Sequence, residues 1–381
     1  MSQPEPLLMI PGPTNLPPEV RAAIGAPSMY HRGPGFMGLL DGCNRGLQVV
    51  FQTKNDVIIL ASSGTGGVEA AIVNLINPDD RVLVVRGGKF GERMAEIAAR
   101  FGALVTTLDV EPGRAAEPHQ LADVLARKPF KAVLFVQNET STGVTQNVAT
   151  LAKIARDHRC LTIVDCVSGM GGVPVRTDEW GLDAVVSGSQ KAFMLPPGLS
   201  FVSLSQRAWE IAEKSKTPRF YFDLPAARKS LAKGQTPFTP AVNLIQGLGA
   251  SLELILGEGM ENVYARHARA GRSVRLAMQA LGLELFADPA YASNVVTAIK
   301  SPEGLSSSDV VKRLAANHQI VISDGQSELK GKIFRIGHMG WFDEEMLART
   351  VRATGETLAS LGHSCDPEAG EKALREVWSQ S

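Results

Sequence analysis

Lys191 closes the run Ser187-Gly188-Ser189-Gln190-Lys191, directly after the apolar stretch Ala184–Ser187 and shortly before Pro196-Pro197-Gly198. A lysine set among small residues at the end of a buried strand loses hydration, and its amine then becomes neutral enough to attack an aldehyde. Taken alone, the plainer reading is a solvated loop lysine. Asp165 ends another apolar run, Leu161-Thr162-Ile163-Val164-Asp165. A carboxylate there must take up a proton or find a cation, unless it merely caps a turn. Ala61-Ser62-Ser63-Gly64-Thr65-Gly66-Gly67 joins a strand to a helix, where backbone N–H groups and the helix terminus favour an anion. A tight turn explains that loop equally well. Arg335 belongs to Lys332-Ile333-Phe334-Arg335-Ile336-Gly337. Strand alternation puts Phe334 and Ile336 on one face and Arg335 on the other, where a guanidinium suits a substrate carboxylate or, more simply, a surface acid.

Together these residues make one constellation. A phosphate cradle, a strand-end carboxylate for a pyridinium nitrogen and a strand-end lysine for an aldehyde are the three groups that pyridoxal phosphate needs. The carboxylate keeps the ring protonated and so strengthens it as an electron sink. A nicotinamide nucleotide fits less well. Glu69 stands where a dinucleotide loop has its third glycine, and the next strand ends Val85-Arg86-Gly87 without an acidic ribose partner.

The elements that must position these groups are legible as alternating apolar runs and amphipathic stretches. Strands are expected at Val57–Ala61, Arg81–Val85, Leu104–Leu108, Ala132–Val136, Leu161–Asp165, Ala184–Ser187 and Phe201–Leu204, with helices at Val68–Ile76, Arg93–Phe101 and Val148–His158. Runs apolar on both faces and separated by helices predict an α/β fold with a mostly parallel, helix-covered sheet. Ser251–Ala280 reads as one long helix leading to a smaller α+β domain built from Val295–Lys300, Ser308–Asn317, Ile320–Ile322, Lys332–Ile336 and Glu344–Leu361. The expected organisation is an N-terminal arm over 1–20, a large cofactor-binding domain over 21–255 and a small domain over 256–381.

Composition narrows the function classes. Lys plus Arg and Asp plus Glu both number 39, which argues against nucleic acid or a membrane surface as the main partner. The 4 cysteines are widely spaced, so neither a zinc site nor a disulfide framework is expected, and no metal is called for. Neither a signal peptide nor an apolar run of membrane-spanning length is visible, and a cytoplasmic enzyme is the expectation.

In this order the motifs resemble the class V, fold type I aminotransferases, especially the alanine–glyoxylate and serine–glyoxylate group. The likeness runs from Pro11-Gly12-Pro13-Thr14-Asn15-Leu16-Pro17 through Ser63-Gly64-Thr65, Glu139-Thr140-Ser141-Thr142-Gly143, Val164-Asp165-Cys166-Val167-Ser168 and Ser187–Lys191 with its Pro-Pro-Gly to Phe334-Arg335-Ile336-Gly337. It implies that Lys191 holds pyridoxal phosphate as a Schiff base and shuttles a proton, while Asp165 pairs with the ring nitrogen. By the same resemblance Ser63, Gly64, Thr65 and Gln190 contact phosphate, and Phe90 stacks on the ring where relatives usually carry another aromatic. Val167 lies beside the cofactor, and Thr140 or Ser141 reaches the ring hydroxyl. Arg335 takes the substrate carboxylate. Asn15 and the Tyr30-His31-Arg32-Gly33 turn come near the substrate, although an exposed turn is the simpler account of His31 and Arg32. Thr239, in Gln235–Thr239, is carried over as a contact to the neighbouring subunit's phosphate in a homodimer. That stretch departs from the tyrosine-containing pattern.

The reading that follows is a ping-pong aminotransferase moving the amino group of a small amino acid, alanine or serine first, to glyoxylate or another 2-oxo acid. Aspartate or ureidoglycine as donor is an alternative. A lyase such as a cysteine desulfurase needs a mobile cysteine in the small domain, and no glycine- or serine-rich loop there holds one. An NADP-dependent oxidoreductase leaves Lys191, Asp165 and Arg335 without a joint purpose. A non-catalytic subunit of the same fold, as in hydrogenase-associated relatives, has no reason to keep all three.

Overall fold

The computed structural model describes residues 5–380. Seven apolar runs form the central sheet: β1 (Val57–Leu60), β2 (Arg81–Arg86), β3 (Leu104–Asp109), β4 (Ala132–Val136), β5 (Leu161–Asp165), β6 (Ala184–Gly188) and β7 (Ser200–Leu204). Their order across the sheet is β1-β7-β6-β5-β4-β2-β3. β2 through β6 pair in parallel, while β7 runs antiparallel to both β6 and β1. Every residue of β4, β5, β6 and β7 is buried, as strands covered on both faces require. Alternation divides the side chains cleanly. Val82 and Val84 pack with α1 (Gly64–Leu75) and α2 (Lys89–Arg100), whereas Leu83 and Val85 face a second core with Leu121, Leu151 and Leu248. The mostly parallel α/β expectation is met.

Helix α1 starts at Gly64, four residues before the periodic apolar pattern begins at Val68. The Ser63 hydroxyl accepts from the Gly66 amide at 3.5 Å and so acts as N-cap, which turns the small-residue loop into the first helical turn. The expected single helix over Ser251–Ala280 is two, α3 (Val242–Glu258) and α4 (Met260–Ala280). Gly259 separates them with φ of 85°, a left-handed conformation that a side chain would strain.

A second, antiparallel sheet has the order β8-β10-β9, from β8 (Val296–Lys300), β9 (Ser323–Asp324) and β10 (Ile333–Gly337). Phe334 and Ile336 face a third core with Val274, Met278, Leu347 and Val351, as alternation predicts. Met9 joins the same core. Residues Ile320–Val321 pair in parallel with Leu7–Leu8 rather than with the small sheet, and the Gly337 amide donates to the Met9 carbonyl at 2.8 Å. The N-terminal arm is thereby stitched to the segment that carries Arg335. Helices at Pro18–Gly25, Pro34–Phe51 and Pro367–Ser379 add to those expected.

Candidate active site

The sheet brings three chain segments to one cleft. β5 ends in Asp165, and the turn after β6 carries Gln190 and Lys191. α1 begins beside them, because an added Cβ on Gly188 would lie 3.4 Å from the Gly64 Cα. Ser63, Gly64, Thr65, Phe90, Asp165, Val167, Gln190 and Lys191 all line the same cleft. Gly64 permits this approach, since a Cβ there would stand 2.6 Å from a Val167 methyl.

Burial sets the electrostatics. Desolvation raises the Asp165 carboxyl to about 6, opposed chiefly by a hydrogen bond from the Val167 amide at 2.9 Å. Desolvation lowers the Lys191 amine to about 8, with Asp165 acting against it and Arg335 and Arg93 reinforcing it. The Lys191 Nζ donates to the Pro11 carbonyl, so the arm reaches the reactive amine. Gly12 makes room: an added Cβ would lie 2.5 Å from the Lys191 Cδ and 2.8 Å from its Nζ.

Arg335 is 4% exposed and is presented from β10, its neighbours in the small sheet being Ala298 and Ser323. Its guanidinium donates to the Asp324 carbonyl at 2.7 and 3.2 Å and to the Thr140 carbonyl at 3.0 Å. Desolvation lowers its pKa to about 10. Backbone carbonyls hold the group without neutralising it, which leaves its charge available to a carboxylate.

Arg335 stands beside the cleft rather than in its lining, and four other expected residues do not line it either. Asn15 spends its amide on Leu8, donating to the carbonyl at 2.9 Å and accepting from the amide at 3.0 Å; it closes the arm and does not face the cleft. Thr140 bonds Ser168 at 2.8 Å, and Ser141 bonds the Glu139 carboxylate and accepts from the Lys89 amide at 3.0 Å. Both hydroxyls are buried in that network rather than lining the cleft. Thr239 lines a separate hollow with Ile59, Tyr221 and Phe238. Arg32 ties the Tyr30–Gly33 turn to Gln235 at 2.6 Å.

Two residues of the site are not evident in these roles from sequence. Arg93 lines the cleft, donates to the Thr65 hydroxyl at 3.1 Å and stacks 4.9 Å from the Phe90 ring centre. Its position one helical turn after Phe90 is the available signal. Glu139 is buried, with burial raising its carboxyl pKa, and it accepts from the Phe90 and Gly91 amides at 3.2 Å each. It caps α2 from the short strand Asn138–Glu139, distant in sequence, and so fixes Phe90.

The groups present suit pyridoxal phosphate. The first amides of α1 have no partner within their helix, and Arg93 adds positive charge beside them. Gln190 lines the same cleft, where its side-chain NH2 group can donate to a phosphate. Among the described residues no group of three or more His, Cys, Asp or Glu could hold a metal, and no helix is long and apolar enough to cross a membrane.

A mostly parallel sheet presenting an aspartate and a lysine, with a small antiparallel sheet supplying an arginine, is the arrangement this chain shares with solved fold type I aminotransferases. Ureidoglycine–glyoxylate aminotransferase from Bacillus subtilis superposes with a TM-score of 0.94 at 28% identity, covering 100% of this chain and 99% of that one. The model for aminotransferase class V matches residues 11–350, and the chain belongs to that family. L-aspartate–glyoxylate aminotransferase from Paracoccus denitrificans is 38% identical over 98% of this chain and 96% of its own. A soluble hydrogenase small subunit from Synechococcus is 40% identical over 98% of both chains. The protein is an aminotransferase.

Proposed function

We propose that this enzyme uses pyridoxal phosphate bound at Lys191 to move the amino group of a small amino acid, alanine or serine first, to glyoxylate. The observation that carries the reading is the meeting of Lys191, Asp165 and the N-terminus of α1 in one cleft. When bound, the cofactor supplies an aldehyde that takes the amino group and a ring that accepts the electron pair of the broken Cα–H bond.

The residues divide the remaining work. Asp165 holds a proton on the ring nitrogen, and burial makes that partnership favourable because neither charge is otherwise matched. The Ser63, Gly64 and Thr65 turn, Gln190 and Arg93 hold the phosphate. Phe90 and Val167 line the cleft walls, where they would pack against the ring. Arg335 orients the substrate by its carboxylate, and a single such arginine favours monocarboxylic donors. Lys191 Nζ would carry the proton that leaves the substrate Cα. Its depressed pKa keeps the amine competent as a base near neutrality.

The relatives named for aspartate and ureidoglycine keep those donors as the second reading. The likeness to a hydrogenase subunit raises a non-catalytic role, and a complete Lys191, Asp165 and Arg335 set counts against it. We further propose a cytoplasmic homodimer. Free cysteines at 43, 160, 166 and 365 suit a reducing compartment, and Phe220, Tyr221 and Phe238 form an exposed aromatic cluster beside Thr239.

The test is a visible spectrum of the protein with pyridoxal phosphate. A Schiff-base band is expected that bleaches with alanine or serine, returns with glyoxylate, and is missing in Lys191→Ala. Bleaching by aspartate instead would reassign the donor. A protein that gains no band overturns the proposal.

A further inference from the structure

His267 lies on α4, outside the cleft, and is 1% exposed. Its Nδ1 stands 2.7 Å from the Val263 carbonyl of its own helix, and its Nε2 lies 3.1 Å from the Gly340 amide nitrogen. Only one tautomer satisfies both contacts: Nδ1–H donates to the carbonyl and the bare Nε2 accepts from Gly340. A protonated ring would put a second donor against the Gly340 N–H, in keeping with burial that lowers its pKa to about 3. The preceding residue grips the other end of the same glycine, Arg266 Nη1 donating to the Gly340 carbonyl at 3.0 Å. Close approach on the far side depends on Gly172, where a Cβ would come within 3.0 Å of the imidazole.

What is held matters more than the grip. Gly340 has φ of 74°, and a Cβ there would stand 3.1 Å from the Lys191 carbonyl oxygen and 3.2 Å from the Thr14 hydroxyl. Thr14 in turn donates to the Lys191 carbonyl at 3.2 Å. Gly340 lies on the segment leaving β10, the strand that carries Arg335. One clamped glycine therefore braces the backbone of the lysine and anchors the strand that bears the arginine.

We infer that His267 is a positioning residue for the active site, acting as the neutral acceptor that seats Gly340 against the Lys191 peptide. The inference rests on Lys191 being the cofactor lysine. With the imidazole replaced by an alkyl group, the Gly340 amide is buried without an acceptor, and the segment shifts to find one. Lys191 then presents its amine from a displaced backbone.

The experiment compares His267→Leu with His267→Gln, whose amide oxygen can replace Nε2 as acceptor. Pyridoxal phosphate is titrated into each apoprotein, and the pH midpoint of the Schiff-base band is recorded with it. His267→Leu is expected to lose about tenfold in cofactor affinity and to move the spectral midpoint, on the scale of one unsatisfied buried donor. His267→Gln is expected to recover most of both. Wild-type affinity and midpoint in His267→Leu, or equal impairment of the two variants, overturns the inference. Should His267→Leu fail to fold, Arg266→Met removes the other bond to Gly340 and must shift the same midpoint, or the inference fails. Absence of any band in the wild-type protein would instead remove the cofactor reading beneath it.

Discussion

Gly12→Ala puts one methyl group into the space where the arm meets Lys191. The built Cβ lies 2.5 Å from the Lys191 Cδ, 2.8 Å from its Nζ and 2.9 Å from the Gln190 carbonyl oxygen. Carbon atoms in contact settle near roughly 3.5 Å or beyond, so the lysine chain or the arm must yield by about 1 Å. Gly12 also has φ of 96°, a region that costs a non-glycine residue roughly 1–2 kcal/mol. Overpacking adds about 1–3 kcal/mol. The variant apoprotein should therefore be destabilised by roughly 2–5 kcal/mol in denaturant unfolding, and a lysine displaced by about 1 Å should slow turnover by about 10²-fold. Gly257→Ala is the control. No atom lies within 4 Å of its added Cβ, and its helical site should gain about 0.5–1 kcal/mol from alanine. A Gly12→Ala protein with wild-type stability and turnover within about twofold would refute the packing argument, because a methyl group forced so close to the lysine chain must cost either stability or alignment.

Two further expectations follow from the charges. The folded Asp165 carboxyl, at about 6, holds its proton more tightly than the unfolded one, so its cost grows as pH rises from about 4 to 6 and is complete above. The folded Lys191 amine, at about 8, has its cost complete below that pH and relieved as pH rises towards 10.5. Each penalty is ~3 kcal/mol, both coexist between about pH 6 and 8, and the cofactor relieves both, so pyridoxal phosphate should raise Tm most in that window. Thermal melts with and without cofactor across pH check this, and a flat difference contradicts it. Arg335→Lys keeps the charge but loses the paired geometry. It should raise KM for the amino acid by about 10- to 100-fold with a smaller change in kcat, and steady-state kinetics that show a fall in kcat alone would place the arginine elsewhere.

The sheet is legible because its strands are buried on both faces and read as unbroken apolar runs, such as Ala132–Val136 and Leu161–Asp165. Lys191, Asp165 and the loop at Ser63 follow from those strand ends. The start of α1 escapes the apolar pattern because its first turn is glycine-rich and carries no period; the Ser63 cap decides it. Gly259 reads as a tolerated break, yet its left-handed backbone divides α3 from α4. Thr140 and Ser141 cannot be aimed from sequence, since the tight pairing of Asn138–Glu139 with Val144–Thr145 turns their hydroxyls inward. The capping role of Glu139 requires knowing that Gly91, in the first turn of α2, is 48 residues away in sequence and beside it in space. The motif around Asn15 points to the substrate, but its bonds to Leu8 serve the arm.

The reversed strand β7 carries a consequence for how the chain reaches its native state. It lies between β1 and β6, and its register pairs Ser203 with Val57 and Ser200 with Leu60. Strands β2 to β6 can be laid down by successive right-handed crossovers as they emerge, each next to a partner already formed. β1 cannot join them until β7 exists to bridge the gap. The loop it closes runs from Leu60 to Ser200, and such long-range pairings are slow to form. α1, which follows β1 in the chain, packs on β6 and on β7 itself, so the surface beneath it is complete only once that reversed strand is in place. A chain that stalls before β7 is laid down therefore carries Asp165 on a finished parallel sheet while α1 lacks part of the surface that seats its N-terminus.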